Sequence, residues 1–373
     1  MKILFLVTED WYFFSHRLSL AREAKRKGFD VLVVTRVTNH GKQIEDEGFR
    51  LIPIGMARAG MNPLKELATL WELIRIYRSE KPDIVHHIAM KPVLYGSFVA
   101  RITRVPRVVN LLAGLGYIFT ASRWKAVLLR KFVSNAFRIL LNRPNSRVIF
   151  QNPDDQNLMM RSGILKPEST VLIRGSGVNT RVFLPTPEPP GIMTVVLAAR
   201  MLWAKGVGEF VEVARLIRAK GMDARFILVG DPDPENPAAV PSHQLEAWNN
   251  SGVIEWWGRR EDMPSVFTQA HVVCLPSYYG EGLPMVLIEA AACGRPIVTT
   301  DAPGCREVVL HGENGLLVPV RNVADLAGAL EKLIADPALR QKMGMRGREL
   351  AVSEFSVEKV VSQTLALYQE LET

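Results

Sequence analysis

The sequence predicts an α/β protein built from two doubly wound parallel-sheet domains. Three observations predict this: short β-branched runs alternate with helical patterns, a proline-rich stretch interrupts the alternation near the middle, and the alternation then restarts. A chain of 373 residues is long enough for two such domains, each with its own core. In the first half, strands are expected at 2–8, 31–36, 50–55, 83–88, 107–112, 147–152 and 170–175, with helices such as 15–27 and 63–79 between them. "LPTPEPPG" at 184–191 holds four prolines in eight residues and reads as an extended linker and hinge. Beyond it, strands are expected at 194–200, 224–230, 253–258, 271–277, 296–301 and 315–319, and about the last 50 residues read as helices only. The domain expectation is 1–186 for an N-terminal domain and 187–355 for a C-terminal one, with a helix at 356–373 packing back towards the first. Open α/β sheets bind ligands outside the carboxyl ends of their strands, so the cleft between the domains is the expected site.

Composition narrows the class. Hydrophobic content of 48% and charge of 23% are those of a soluble globular protein. Cys274, Cys293 and Cys305 show no C-x-x-C or His-paired spacing, which argues against a disulfide framework or a zinc site and fits a reducing cytoplasm. "MKILFLVTED" reaches Glu9 and Asp10 too soon for a signal-peptide core and reads as a buried first strand. The longest uncharged stretch around an apolar segment, 108–122, is 15 residues long and interrupted by Gly114 and Gly116. A spanning helix needs about 20, so no transmembrane segment is expected.

The net charge of +8 hides a division. Residues 1–180 carry 28 Lys+Arg against 14 Asp+Glu, and residues 181–373 carry 18 against 24. Segment 123–147 holds seven Lys or Arg and no acid, interleaved with Trp124, Phe132, Phe137 and leucines. Such a basic amphipathic stretch suits an anionic membrane surface; a solvated helix face is the plainer reading. Nucleic acid is not expected as a partner, because no recognised binding motif accompanies the charge.

The nucleotide fingerprint G-x-G-x-x-G is missing: "GLG" at 114–116 is followed by Phe119 where the third glycine would stand, and no acid follows about 20 positions on. A dinucleotide dehydrogenase is disfavoured. "YYGEGLPMVLIEAAACGRPIV" (278–298) is more informative. Pro284 suits the first position of a helix, and the amides of Gly282, Leu283 and the first turn would form an anion site that no side chain at Gly282 obstructs. Glu281 in the loop and Glu289 in the second turn flank that site. A diphosphate on the amides and sugar hydroxyls on the two carboxylates would satisfy the arrangement. The plain alternative, a loop charge and a solvated helix residue, fits Glu289 poorly because its neighbours in "MVLIEAAAC" are apolar. Arg200 at a strand end and Lys205 five residues on would supply cations to the same anion.

These residues carry a resemblance. R-x4-K-G at 200–206, "LPSYYGEGLPMVLIEAAACGRPIV" and "DAPGCREVVLHGENGLLV" resemble the family-four retaining glycosyltransferases, most specifically over about 194–320. "EDWYFFSHR" (9–17), "LLAGLGYIF" (111–119) and "VGDPDPENP" (229–237) resemble the bacterial branch that builds lipid-linked O-antigen, capsule or N-glycan precursors. The resemblance implies the GT-B arrangement, two Rossmann-like domains facing each other across a cleft. It gives Glu281 the donor sugar's hydroxyls, Glu289 the ribose hydroxyls, and Arg200 and Lys205 the leaving diphosphate. Arg259 and Arg260 fall near the base, and Glu307, after "PGCR", near the same cleft.

The chain departs from the family pattern too, with no glycine pair between Thr8 and Ser15 and no histidine in "NLLAGLG". On the acceptor side His16, at the start of the first helix, and His87 remain as candidates, although packed histidines are the commoner case. Because His86 and His87 alternate on a strand, one is expected in the core and the other in the cleft. "GDPDPE" (230–235) contains the Asp-x-Asp metal signature of another transferase class, but Pro232 and Pro234 suggest a rigid surface loop, so no metal and no cofactor are expected.

The reading is a metal-independent enzyme on the inner face of the cytoplasmic membrane. It would move a hexose or N-acetylhexosamine from a UDP-sugar to a polyprenyl-diphosphate-linked saccharide. The alternatives are a UDP-sugar epimerase of the same two-domain shape and a non-catalytic membrane scaffold.

Overall fold

The computed structural model describes residues 1–57, 62–115, 124–278 and 280–372, with the side chains of 124–126 left aside. Gly116 to Phe119 of "LLAGLGYIF", Arg123 and Trp124's side chain at the head of the basic segment, and Tyr279 lie outside the described residues. The chain divides into two compact units: Met1–Ser176 with Glu358–Thr373, and Gly177–Val357.

Unit 1 is a seven-stranded parallel sheet. Its strands are β1 (Lys2–Glu9), β2 (Asp30–Arg36), β3 (Arg50–Pro53), β4 (Ile84–Ile88), β5 (Arg107–Leu112), β6 (Ser146–Phe150) and β7 (Thr170–Leu172), in the order β3-β2-β1-β4-β5-β6-β7. The central strands are buried along most of their length because helices cover both faces: Ile3 to Leu6 and Ile84 to Ile88 are all buried. The covering helices are α1 (Asp10–His16), α2 (Leu18–Arg26), α3 (Gly41–Asp46), α4 (Pro63–Glu80), α5 (Met90–Thr103), α6 (Trp124–Leu140) and α7 (Pro153–Arg161). Caps set two of the starts. The Asn62 side chain accepts from the Leu64 and Lys65 amides at 3.1 and 3.4 Å, and Asn152 accepts from Asp155 at 2.8 Å, each followed by proline at the first position.

The helix expected at 15–27 is two helices, since Arg17 (φ −124°) breaks the run, and His16 closes the first helix rather than opening it. Asp10 explains the break. Its buried carboxylate accepts from the amides of Trp11, Thr38, Asn39 and His40 and from the Thr38 hydroxyl, at 2.6 to 3.0 Å, which ties α1 to the loop after β2. Desolvation alone would raise its pKa, but these hydrogen bonds outweigh it and the pKa is lowered.

Unit 2 repeats the design with β8 (Met193–Ala198), β9 (Ala224–Val229), β10 (Glu255–Trp256), β11 (Val272–Leu275), β12 (Ile297–Thr300) and β13 (Gly315–Val318), in the order β10-β9-β8-β11-β12-β13. Its helices are α8 (Val207–Ala219), α9 (Ser242–Asn250), α10 (Met263–Thr268), α11 (Met285–Ala292), α12 (Cys305–Val308), α13 (Val323–Ala335) and α14 (Pro337–Ser353). In each sheet the strand order reverses once, between β1 and β4 and between β8 and β11, and a crevice opens at the carboxyl ends of such a pair.

The proline-rich stretch is bonded into unit 2. Buried Arg295 donates to Thr186 Oγ1 (2.5 Å) and the Pro187 carbonyl (3.2 Å), Arg340 grips Glu188 at 2.8 and 2.9 Å, and His271 Nε2 donates to the Pro189 carbonyl (2.9 Å). Extended prolines leave their carbonyls unsatisfied, and these side chains meet that need. The chain passes between units before this stretch, after Ser176. The last helix, α15 (Val357–Glu370), belongs mostly to unit 1. There Tyr368 OH lies 2.5 Å from His86 Nδ1, and Arg107 Nε donates to the Leu371 carbonyl at 2.9 Å. No helix among the described residues is long and apolar enough to cross a membrane.

Candidate active site

The loops leaving β8 and β11 meet at the switch point of the second sheet. After β8 the chain runs through Arg200 to Lys205, then turns at Gly206 (φ 77°) into α8. A Cβ on Gly206 would stand 2.2 Å from the Pro276 carbonyl oxygen, so only glycine lets the two loops come this close. The Tyr278 amide donates to the Ala204 carbonyl at 3.1 Å and joins them. At this junction Lys205 Nζ lies 2.5 Å from Glu281 Oε1, and Ser277 Oγ lies 2.9 Å from the same oxygen. The lysine and the carboxylate are both mostly buried. Lys205 keeps further N–H donors beyond the one directed at Glu281.

Arg200 donates to Asp233 Oδ2 at 2.6 Å, and Asp231 Oδ1 accepts from the Arg259 amide at 3.0 Å. Both aspartates of "GDPDPE" are thus engaged with arginine residues. The loop can pass this close to β8 because Gly230 (φ 133°) has no Cβ; one there would stand 1.9 Å from the Ala199 carbonyl. Arg260 pairs side-on with Asp262 at 2.6 and 2.7 Å and sits over the Trp257 ring at 5.8 Å, while the Arg259 guanidinium is exposed. Among the described residues, no three His, Cys, Asp or Glu side chains come together as a metal cluster.

Helix α11 begins one residue later than expected: Pro284 is its cap, held extended (φ −66°, ψ 113°). The Leu283 amide just before it makes no hydrogen bond among the described residues, while the Leu283 side chain is in the core. Gly304 packs against the Glu281–Gly282 backbone, where a Cβ would meet the Glu281 carbonyl at 2.6 Å, and the Glu281 amide donates to the Pro303 carbonyl at 3.3 Å. Glu307 lies on the four-residue α12 that starts here. Glu289, half-buried in α11, has no hydrogen-bond or ion-pair partner among the described residues, and desolvation raises its pKa to about 7. The structure joins Lys205 to Glu281 directly, with Gly282 and Leu283 following in the same loop and Glu307 on α12; among the described residues no hydrogen bond or ion pair links Glu289 to this group.

In unit 1, the expectation that His86 and His87 point to opposite surroundings fails. Both are buried, because this sheet is covered on both faces. His87 Nε2 lies 2.9 Å from Tyr77 OH and its Nδ1 2.8 Å from Asn110 Oδ1, so neither ring nitrogen is available to an acceptor. Burial lowers its pKa to about 4. His16 stacks on Tyr12 with centroids 4.3 Å apart and has Ser15 Oγ at 2.6 Å from Nδ1. Desolvation first, and the charge of Arg17 second, lower its pKa to about 3. A neutral imidazole is what the site offers at ordinary pH.

Sequence reasoning missed Ser277, Asp233 and the stacking of Arg321 on the Tyr278 ring (4.2 Å). Ser277 had a signal, since it stands between the strand and "YYGEG"; Arg321, some 40 positions away, had none.

Comparison with known proteins gives two family matches: "Glycosyl transferases group 1" over residues 185–350 and "Glycosyl transferase 4-like" over residues 2–152. A Campylobacter jejuni protein, N,N'-diacetylbacillosaminyl-diphospho-undecaprenol alpha-1,3-N-acetylgalactosaminyltransferase, is 28% identical over 100% of this chain and 99% of its own. An Escherichia coli UDP-Gal:alpha-D-GlcNAc-diphosphoundecaprenol alpha-1,3-galactosyltransferase is 24% identical over 92% of this chain and 89% of its own. Among solved structures, Anabaena HepE in complex with UDP matches with a TM-score of 0.78 at 20% identity, over 99% of this chain and 100% of that one. That likeness carries the GT-B fold.

Proposed function

This chain belongs to the group 1 glycosyl transferases and is a glycosyltransferase, and from that premise we propose that it moves an N-acetylhexosamine from a UDP-sugar to a polyprenyl-diphosphate-linked saccharide with retention of configuration. The observation that carries this is the Lys205–Glu281–Ser277 group beside the unpaired Leu283 amide, at the switch point of a parallel sheet. A leaving diphosphate needs positive charge that is already in position, and Lys205, Arg200 and the start of α11 offer it. Glu281 would accept from the donor sugar's hydroxyls, and Glu289 from those of the ribose. Arg259 and Arg260 would border the base, with Glu307 supporting the Glu281 loop. The lipid-linked acceptor is supported by the Campylobacter and Escherichia relatives, whose names specify diphospho-undecaprenol and diphosphoundecaprenol sugars.

Because Asp231 and Asp233 are engaged with arginine residues, the cations in this reading are side chains rather than a metal. EDTA is expected to leave the rate unchanged, and a rate restored only by added divalent ion would refute this part. The enzyme would work on the inner face of the cytoplasmic membrane, with unit 1 against the lipid. Helix α5 packs against both α4 and α6, and all three expose apolar side chains among cations: Leu64, Leu67 and Trp71 on α4, Phe98 on α5, and Leu128 and Phe132 on α6.

The test measures UDP release from a panel of UDP-sugars with and without a short polyprenyl-diphosphate glycan. Release that needs one donor together with the acceptor is expected. Conversion of a UDP-sugar without acceptor would mean an epimerase instead. Lys205→Ala and Glu281→Ala should each lower the rate by about 100-fold or more while the protein stays folded; near-normal turnover in either variant would rule out this site.

A further inference from the structure

In unit 1, at the junction of α1 and α2, one buried charge has no match among the described residues. Arg17, at this junction, is only 3% exposed. Its guanidinium makes no hydrogen bond or ion pair among the described residues, and Nε and Nη2 are closed to solvent. The acids beside it in sequence are committed elsewhere: Glu9 pairs with Arg36 at 2.7 Å, and Asp10 holds the Thr38–His40 amides. Its charge acts on His16, His86 and Tyr368, none of them anionic. His86 repeats the pattern: it is 1% exposed, its Nδ1 is taken by Tyr368 OH, and its Nε2 has no partner. Three residues on, at the end of β4, Ala89 has φ 81° and ψ 163°, a backbone region that residues other than glycine seldom enter and that clusters at ligand sites.

A buried guanidinium without an acceptor is strongly unfavourable, and replacing it by an apolar side chain would relieve the fold. Its presence, with a second orphan nitrogen beside it on His86, points to a partner that arrives from outside. We propose that Arg17, with the Nε2 edge of His86, forms an oxyanion site for a phosphoryl oxygen of a diphosphate-bearing substrate. With the Tyr368 hydroxyl donating to Nδ1, His86 carries its proton on Nε2 and donates to the anion, while Arg17 supplies the charge and a two-pronged grip. The choice of a phosphoryl ligand rests on the function proposed above; the existence of an anion site does not.

The test uses the full chain and Arg17→Met, with inorganic pyrophosphate as probe and thermal melting as readout. Pyrophosphate should raise the melting temperature of the Lys205→Met chain, whose donor loop is disabled, and the rise should vanish in Lys205→Met/Arg17→Met. Without ligand, Arg17→Met should melt no lower than the parent. His86→Phe should keep its fold and weaken the pyrophosphate effect. An equal pyrophosphate shift with and without Arg17, or a large fall in the unliganded melting temperature of Arg17→Met, would overturn the proposal. Steady-state kinetics then separate the sources. A KM about tenfold or more higher for the lipid-linked acceptor alone assigns the acceptor's diphosphate, and the same rise for the UDP-sugar alone assigns the donor's. Pyrophosphate binding that depends on Arg17 in a protein that transfers no sugar would sink the proposed function and leave the anion site standing.

Discussion

Glu289 is a carboxylate whose surroundings set its pH behaviour. Burial raises its pKa from 4.5 to about 7, so the folded protein prefers the protonated form. Stability from this group is therefore present at low pH and is lost as pH climbs from 4.5 towards 7. Nucleotide binding should run the opposite way, since the ionised carboxylate accepts a ribose hydroxyl more strongly than the acid does. UDP affinity should rise between pH 6 and pH 8 in the parent and stay flat in Glu289→Gln, with titration calorimetry as the readout; a flat parent profile would remove Glu289 from the ribose site. At this scale the sequence was legible where one loop held the answer. Lys205 and Glu281 were read as partners in one site because each follows a strand end of the same sheet, and they touch. Arg200's engagement with Asp233 was not legible, because two prolines made that loop look like surface. The role of His87 was hidden for a different reason: its partners Tyr77 and Asn110 come from a helix and a neighbouring strand, which no local pattern reveals.

Among the elements, the loops after β8 and β11 depend on one backbone contact. Gly206→Ala would force a left-handed φ on alanine and push its Cβ into the Pro276 carbonyl. A loss of about 2 kcal/mol or more in denaturant unfolding is expected, together with weaker UDP binding. Wild-type values for both would mean that the loops can separate without cost. All thirteen strands were legible from β-branched runs, yet β10 spans only Glu255–Trp256 and β7 only Thr170–Leu172. Edge strands have one neighbour, so pairing stops where that neighbour stops, and the apolar run continues without it. The helix break at Arg17 was invisible because the tie from Asp10 to the loop after β2 bridges nearly thirty positions. Proline density marked 184–191 as extended, but the arginines that fasten it, Arg295 and Arg340, lie more than a hundred residues away.

For the molecule as a whole, the charge division between the halves offers a test of the proposed membrane contact. The excess of cations before residue 180, with exposed Trp71 and Phe132 among them, should give binding to vesicles rich in anionic lipid and little to neutral ones. Sedimentation should find that affinity falling by about tenfold from low to high salt and further in Trp71→Asp/Phe132→Asp. Equal binding to neutral vesicles would argue for insertion without electrostatics.

Tyr368 has a consequence for biosynthesis. It lies 282 positions beyond His86 in the sequence, yet its hydroxyl meets His86 in the interior of unit 1. As the polypeptide emerges from the ribosome, unit 2 can be whole while unit 1, begun first, still waits for Glu358–Thr373. Synthesis of that segment, and not of residue 176, would then mark the moment at which the first-made domain becomes complete. A chain stopped after Val357 should leave unit 1 open to protease while unit 2 resists it, and equal resistance of both would show that the last helix arrives on a domain already closed.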